Sequence, residues 1–338
     1  MPVKHPIRVG LCGEFQVGKS LLINCLLGEN VALVGDLLAT TPFPVAYQWA
    51  EQRGVELLLP EGVIHPRKFT IEEFVDHLRA EHQEPTGQGQ VRLRQFAEAR
   101  VSLPCPRLRQ ITLVDTPGVN AVTAAGIVVE TDEMKAHAAI STLHCAVLVK
   151  KNDKEIGPPE LAILGKLAAA KIPFVIVMNC HHATEWSPAG KDNRRLVRES
   201  GSKIHPLVQK WMLPAWRGSG DDANGSGAPK SSSPLEYSIL PLNAAWHRVA
   251  EGAVPTDKKE ADWPKKIANT DEFDGQLPSS ERLRELSRVP ELQRFLLHEP
   301  ERSVGVNAYC LGTLHRATAQ WSQAAVQQIQ QLKKTVAG

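Results

Sequence analysis

A strand-like segment, a glycine-bearing loop and a helix-like segment follow one another near the start of this 338-residue chain. Ile7–Cys12 is apolar apart from Arg8 and of strand length, and residues 19–27 are apolar at helical spacing and end at Gly28. The loop between them reads GEFQVGKS, residues 13–20. A strand that turns so tightly into a helix commits the chain to an α/β fold, because the helix must pack back on the sheet that holds the strand.

The spacing of this loop is that of a P-loop, GxxxxGK[ST] between a strand and a helix. Gly13 and Gly18 allow the backbone to curl around an anion, and the N–H groups of the loop and of the helix N-terminus point toward it. Lys19 is expected to bridge the β- and γ-phosphates of a nucleoside triphosphate, and the Ser20 hydroxyl to bind Mg²⁺. The predicted nucleotide-binding loop comprises Gly13, Glu14, Phe15, Gln16, Val17, Gly18, Lys19, Ser20 and Leu21.

Two further motifs stand where loops can meet the phosphates. The sequence DTPG follows the apolar run 111–114, so Asp115 is predicted to hold the magnesium shell from a strand end. Gly118 then allows its N–H to approach the γ-phosphate. The sequence TTP, residues 40–42, follows the first helix, and a threonine here can add its hydroxyl to Mg²⁺ and release it when the γ-phosphate is lost. Position alone does not choose between its two threonines.

Strand-like and helix-like segments alternate over most of the chain. This alternation predicts a mostly parallel sheet flanked by helices, with ligands at the carboxyl ends of the strands. The runs 45–49 and 55–59 are predicted to be paired strands. The other predicted strands are 111–114, 145–149, 174–178 and 239–242, and the predicted helices are 71–79 and 161–170.

The chain is predicted to divide into a nucleotide-binding domain, residues 1–280, and a C-terminal helical segment, residues 281–338. Within the first domain, residues 218–234 are rich in Gly and Ser and are predicted to form a flexible loop. Residues 257–278 are also polar and are predicted to be irregular.

The C-terminal segment carries two helical patterns. Residues 281–297 predict one or two short helices separated at Pro290. From Val306 onward, apolar residues recur every three or four positions, which predicts a long amphipathic helix. Such a helix needs a partner surface on its own domain or on another chain.

The composition limits which compartment and which partners we expect for the protein. A formal net charge of +2 gives no reason to expect a nucleic-acid partner. The six cysteines are scattered without CxxC spacing, so we expect reduced thiols in a cytoplasmic protein. The N-terminus lacks a signal-peptide pattern, and no apolar run approaches the roughly 20 residues that span a bilayer. The sequence is also compatible with a peripheral contact of the protein with the inner face of the membrane.

The sequences GEFQVGKS, LLATTPFPV and LVDTPGVN together resemble the GTPase domain of bacterial dynamin-like proteins. The helix LLINCLLG and the segment VPELQRFLL fit the same resemblance. It covers about residues 6–300 in outline and is specific only at the first three motifs. The resemblance implies a Ras-like P-loop GTPase domain, Mg²⁺ as cofactor, and GTP and GDP as substrate and product.

The resemblance also implies individual roles. Thr41 best matches the switch threonine that binds Mg²⁺ and helps to place the attacking water, with Thr40 as the remaining alternative. Gln16 matches a loop position that aids catalysis in a dimer, and Lys19 completes the implied catalytic set. Val119 stands where Ras-like enzymes carry a water-orienting glutamine, which fits hydrolysis assisted by dimerisation. We therefore expect a nucleotide-dependent homodimer or a dynamin-like partner protein.

The guanine-binding motif departs from the family pattern Asn-Lys-x-Asp. After the run 174–178 the chain reads NCHH, so only Asn179 matches. A neutral imidazole at His182 offers one acceptor where aspartate accepts two bonds from guanine, and this weakens discrimination between bases. The other predicted base contacts follow the last strand and are Asn243 and Ala244.

Two functions from different classes follow. The first is a dynamin-like GTPase that hydrolyses GTP with Mg²⁺ and couples nucleotide state to dimerisation and C-terminal helix movement. The alternative is a nucleotide-binding switch or pseudo-GTPase with weak hydrolysis and relaxed base specificity that binds a protein partner. A GTPase acting on ribosomes is disfavoured, because the charge is near neutral and no RNA-binding module is recognisable.

Overall fold

The strands and helices of a computed structural model alternate as the sequence predicts. The structure describes residues 6–34, 43–60, 63–64, 68–83, 95–118, 139–153, 155–180, 191–209, 211–212, 239–255, 258–270, 273 and 275–297. Its strands are β1 Ile7–Cys12, β2 Val45–Trp49, β3 Gly54–Leu58, β4 Glu98–Leu103, β5 Ile111–Asp115, β6 Cys145–Lys151, β7 Phe174–Asn179 and β8 Ile239–Leu242. Its helices are α1 Lys19–Leu27, α2 Ile71–Gln83, α3 Pro158–Ala169, α4 Lys191–Lys203, α5 Pro206–Gln209, α6 Ala244–Ala250, α7 Lys258–Ala261, α8 Trp263–Ala268, α9 Ser280–Ser287 and α10 Val289–Leu297.

All eight of these strands form one mixed sheet, in the order β3-β4-β2-β5-β1-β6-β7-β8. The central strand β1 is parallel to both of its neighbours, β5 and β6, and the parallel arrangement continues through β7 to β8. On the other side, β2 runs antiparallel to β5 and β3 runs antiparallel to β4. The carboxyl ends of β1, β5, β6, β7 and β8 therefore lie along one edge of the sheet, which is where ligands bind in such folds.

Three details differ from the sequence-based expectations. The predicted pairing of 45–49 with 55–59 is wrong, because β4 lies between β2 and β3. Residues 257–278 were expected to be irregular, yet they contain the short helices α7 and α8. The break between the last two described helices falls at Arg288, which adopts a left-handed conformation with φ of 59°. Pro290 instead lies in the first turn of α10, where proline is tolerated.

The two faces of the sheet carry separate hydrophobic clusters. Alternation along β6 divides its side chains, with Val147 and Val149 in one cluster and Ala146 and Leu148 in the other. The first cluster includes side chains of α1, α2, α6, α8, α9 and α10, and the second includes those of α3 and α4. The site at the sheet edge is therefore supported by a packed layer on each side.

Helix α1 is held firmly at its C-terminal end. Its residues Leu21–Leu27 are all buried. Arg107 donates to the Leu26 carbonyl at 2.9 Å, and the Gln293 side chain of α10 donates to the Cys25 carbonyl at 3.0 Å. These bonds satisfy carbonyl groups that a helix end leaves without partners, so α1 is fixed against two distant parts of the chain.

The described part of the predicted C-terminal segment packs on the nucleotide-binding domain. Leu283 of α9 and Leu292 and Phe295 of α10 belong to the same cluster as Leu26 and Trp246. The predicted loop 218–234 and the predicted helix from Val306 lie outside the described residues. Among the helices that the structure describes, none is long and apolar enough to cross a membrane.

Candidate nucleotide-binding site

The loop between β1 and α1 has the backbone that its two glycines predict. Gly13 has φ of 153° and Gly18 has φ of 88°, both in the region that disfavours other residues. A Cβ on Gly13 would stand 2.1 Å from the Val149 carbonyl oxygen, and one on Gly18 would stand 2.4 Å from Asn179 Nδ2. The curl of the loop therefore requires glycine at both positions.

The side chain of Lys19 lies inside this curl. Its Nζ donates to the Glu14 carbonyl at 2.8 Å and to the Gly13 carbonyl at 3.3 Å, and the residue is 8% exposed. Burial lowers the pKa of Lys19, and the nearby carboxylate of Asp115 opposes that shift. The ammonium is thus oriented by loop carbonyls at the place where phosphate oxygens are expected.

Ser20 and Asp115 bring two oxygen ligands together from different elements. Ser20 Oγ donates to Asp115 Oδ2 at 2.7 Å. Asp115 is 2% exposed and lies beside Leu11 in the register of β1 with β5. A hydroxyl and a carboxylate are the hard oxygen donors that Mg²⁺ prefers, so this pair fits the metal that the sequence predicts.

The DTPG sequence lies directly against the P-loop. A Cβ on Gly118 would stand 2.9 Å from Phe15 Cα and 3.3 Å from Lys19 Nζ. Thr116 Oγ1 donates to the Leu11 carbonyl at 2.8 Å, which ties the segment to β1. The structure therefore brings Gly118 to the predicted phosphate end.

Gln16 stands at the tip of the loop. It adopts a left-handed conformation with φ of 57°, which is uncommon for a residue other than glycine, and its side chain is exposed. Val17 and Leu21 instead belong to the hydrophobic core cluster, so their side chains serve packing while their backbone belongs to the loop. Catalytic action by Gln16 in a dimer stays a prediction.

At the predicted base end, Asn179 connects the P-loop with helix α6. Its Nδ2 donates to the Val17 carbonyl at 3.1 Å, and its Oδ1 accepts from the Ala244 N–H at 3.3 Å. The residue is fully buried. Asn179 thus joins the P-loop to the N-terminus of α6.

The neighbouring polar groups also have partners within the protein. Asn243 Oδ1 accepts from the Trp246 N–H at 3.0 Å and caps α6, and its own N–H donates to the Ser287 carbonyl at 2.8 Å. Cys180, in place of the family's lysine, is buried in the core and donates its N–H to Leu242 at 2.8 Å. Base contact by Asn179, Asn243 and Ala244 stays a prediction.

Some predicted site residues lie outside the described part of the chain: Thr40, Thr41, Val119, His181 and His182. Sequence reasoning named Asn179 as a base contact but missed its bond to Val17, and it missed Asn24, a buried amide with three hydrogen bonds to residues 31 and 32. The link from Asn179 to Val17 joins residues far apart in sequence and left no local signal. Asn24 did leave a local signal in the sequence, because it is the single amide in the apolar run LLINCLL.

A buried P-loop lysine, a Ser–Asp oxygen pair and a sheet of this order define a P-loop nucleotide-binding domain. Residues 8–180 match the model of the family described as 50S ribosome-binding GTPase, which is just over half of the chain. The chain therefore belongs to this GTPase family. The mostly parallel sheet flanked by helices confirms the predicted fold class.

Similarity to individual proteins points to dynamin-like relatives. Dynamin-like protein 2 of Campylobacter jejuni subsp. jejuni serotype O:23/36 (strain 81-176) is 26% identical over 161 residues, which are 47% of this chain and 24% of that protein. The resemblance to bacterial dynamin-like GTPases predicted from the motifs is thereby confirmed. The chain matches about a quarter of the length of that relative.

Solved structures show likenesses of lower identity. One described as an oligomerised bacterial dynamin pair in long-range sensing and tethering of membranes is 17% identical, with a TM-score of 0.43 over 83% of this chain and 36% of that one. Era of Aquifex aeolicus, in a complex with GDP and a fluoroaluminate, is 15% identical, with a TM-score of 0.37 over 74% and 57% of the two chains. At these scores neither likeness carries an argument about this chain.

Proposed function

We propose that the chain is a dynamin-like GTPase that binds and hydrolyses GTP with Mg²⁺. The observation that carries this proposal is the 2.7 Å bond between Ser20 Oγ and Asp115 Oδ2, beside the buried Lys19 ammonium. This bond brings oxygen ligands from the P-loop and from β5 together at the carboxyl edge of the sheet. Membership of the GTPase family supports the same reaction class.

The side chains have separable roles in this reaction. Lys19 neutralises the charge that develops on the γ-phosphate when water attacks in line, and Gly118 brings its backbone toward the same oxygens. Ser20 and Asp115 would hold Mg²⁺, which would supply further positive charge to the phosphoryl oxygens. Thr41 would add its hydroxyl to the same ion and place the attacking water, and Gln16 would assist from the exposed tip of the loop.

We expect the bound nucleotide to control association with another chain and movement of the C-terminal helices. Val119 stands where Ras-like enzymes carry a water-orienting glutamine, which fits hydrolysis assisted by a second chain. We expect a nucleotide-dependent homodimer or a dynamin-like partner, in the cytoplasm, with peripheral contact at the inner membrane face as a further expectation. No nucleic-acid partner is expected, since the net charge is +2.

The alternative is a nucleotide-binding switch with weak hydrolysis and relaxed base specificity. Its motivation is the sequence NCHH, in which Cys180 is buried in the core at the position where the family pattern has lysine. Hydrolysis and base preference therefore have to be measured separately.

Calorimetric titration with non-hydrolysable GTP and ATP analogues in the presence of Mg²⁺ tests base preference, and phosphate release from GTP tests turnover. A clear preference for GTP with measurable phosphate release supports the proposed GTPase. Equal binding of both analogues without phosphate release supports the alternative. Binding of neither analogue rejects both functions.

A further inference from the structure

The segment after α1 turns back along the helix. Gly28, with φ of 78°, ends α1, and its N–H donates to the Asn24 carbonyl at 2.9 Å. A left-handed residue at this position reverses the direction of the chain. Residues 31 and 32 are thereby brought beside the last turn of α1.

The side chain of Asn24 holds these residues in place. Its Oδ1 accepts from the Val31 N–H at 3.0 Å and from the Ala32 N–H at 2.8 Å, and its Nδ2 donates to the Ala32 carbonyl at 2.9 Å. Asn24 is 1% exposed. Both acceptor sites of the carbonyl oxygen and one donor of the amide nitrogen are used, a combination that an ionised carboxylate or an apolar side chain cannot provide.

A second connection ties the same segment to α6. Asn30 Oδ1 accepts from Arg248, and Asn30 Nδ2 donates to the Val254 carbonyl at 3.3 Å. Arg248 is itself buried and paired with Glu260 at 3.3 Å. The segment 28–34 is therefore fixed both to the nucleotide-binding helix and to the helix that begins at the predicted base end.

We propose that Asn24 is a positioning residue for the response to the γ-phosphate. Asn24 lies four residues after Ser20, so one helical turn separates the two side chains on the same face of α1. Asn24 fixes residues 28–34 to that helix. It therefore sets the position, relative to Ser20 and Asp115, from which the chain continues toward Thr41. This inference rests on the proposed function, in which Thr41 and Ser20 share Mg²⁺.

The first measurement is hydrogen exchange on the full chain without nucleotide. In Asn24→Ala, the amides of Val31 and Ala32 are expected to exchange about tenfold faster or more, the change that loss of one hydrogen bond produces. Amides of the central strands β1 and β5 are expected to keep their rates. Unchanged exchange at Val31 and Ala32 would overturn the proposal.

The second measurement separates positioning from folding. Asn24→Ala is expected to weaken binding of a non-hydrolysable GTP analogue with Mg²⁺ about tenfold and binding of GDP less than about twofold. Equal weakening of both nucleotides would mean that Asn24 only supports the fold. A wild-type protein that binds neither nucleotide would reject the proposed function, whereas equal analogue affinities of wild type and variant would reject only the role of Asn24.

Two further variants complete the test. Gln293→Ala removes a bond to the same end of α1 but leaves the contacts of residues 28–34, so it is expected to keep the wild-type ratio of analogue to GDP affinity. Asn30→Ala breaks the connection to Arg248 at an exposed residue and is expected to shift that ratio in the same direction by a smaller factor. If Asn24→Ala does not fold, the ratio measured for Asn30→Ala decides, and an unshifted ratio counts against the proposal.

Discussion

The two ends of the nucleotide site are built differently. At the phosphate end, Lys19, Ser20 and Asp115 face one another across one loop and the end of a neighbouring strand. At the base end, Asn179 and Ala244 bond to each other, so these polar groups already have partners within the protein. Substitutions at the phosphate end should therefore change nucleotide affinity first, and substitutions at the base end should change stability first.

The largest effect is expected for Lys19→Ala. Affinity for a fluorescent, non-hydrolysable GTP analogue should fall at least about a hundredfold, because each charge-assisted hydrogen bond to phosphate is worth about 1.5–3 kcal/mol. Fluorescence titration with Mg²⁺ measures this change. Lys166→Ala on α3, an exposed lysine on the other face of the sheet, serves as the matched control and should bind normally. Unchanged affinity in Lys19→Ala would reject the P-loop assignment.

Asn179→Ala tests the base end. The change leaves the Val17 carbonyl and the Ala244 N–H without their bonds at a fully buried position, so the free energy of unfolding should fall by about 2–4 kcal/mol. Urea denaturation of the nucleotide-free protein measures it. Asn269→Ala, which removes an exposed amide directly after α8, should change stability by less than about 0.5 kcal/mol. A loss of affinity without a loss of stability would remove the distinction between the two ends.

Acidification should also act at the base end, through α6. Burial lowers the pKa of His247 from 6.5 to about 4, with Glu251 opposing the shift. An unfolded histidine binds a proton at higher pH than this native one, so the stability present above pH 6.5 is lost progressively as pH falls toward 4.

At pH 5 this loss amounts to about 2 kcal/mol. Urea denaturation at pH 7 and pH 5 measures it, with His247→Gln as the reference that lacks the titrating group. The difference in stability between the two proteins should therefore depend on pH. Parallel pH profiles would show that His247 is protonated equally in the folded and unfolded states.

The smallest effect is expected for His182→Asp, at a position outside the described residues. A carboxylate there can accept two bonds from guanine, so the preference for GTP over ATP analogues should rise about tenfold. Competition titration measures the ratio, and His181→Asp adds the same charge one position earlier as a control. An unchanged ratio would show that guanine is not read from residue 182.

Local patterns predicted much of the fold. The runs at β6, β7 and β8 are continuously apolar, and the run at β1 is interrupted only by Arg8, because parallel strands are covered on both faces. Their predicted bounds agree with the structure to within two residues. Strand β4 was missed, since half of its residues are only partly buried and its partner β2 lies much earlier in the chain. Helices α7 and α8 are too short for a periodic signal, and α8 is held by core contacts of Trp263 and Ile267.

The site divides in the same way. The phosphate end was predicted from spacing alone, because one short loop carries most of its groups and the strand end after β5 carries the rest. The hydrogen bonds of Asn179 and Asn24 could not be predicted from spacing. Asn179 bonds to Val17, which is distant in sequence, and Asn24 bonds to Val31 only because the chain reverses direction after α1. A polar residue standing alone in an apolar helix is nevertheless a signal of a buried partner.

The packing of α10 on α1 has a consequence for how the chain is synthesised. Leu26 and Phe295 share one core cluster, so part of the apolar surface around α1 stays open to water until the residues of α10 have been added. At the usual pace of translation this interval lasts roughly 15–50 seconds. During that time the growing chain exposes apolar surface that can bind chaperones or other nascent chains. Helix α1 is synthesised early, but its packing is completed only when α10 has been made.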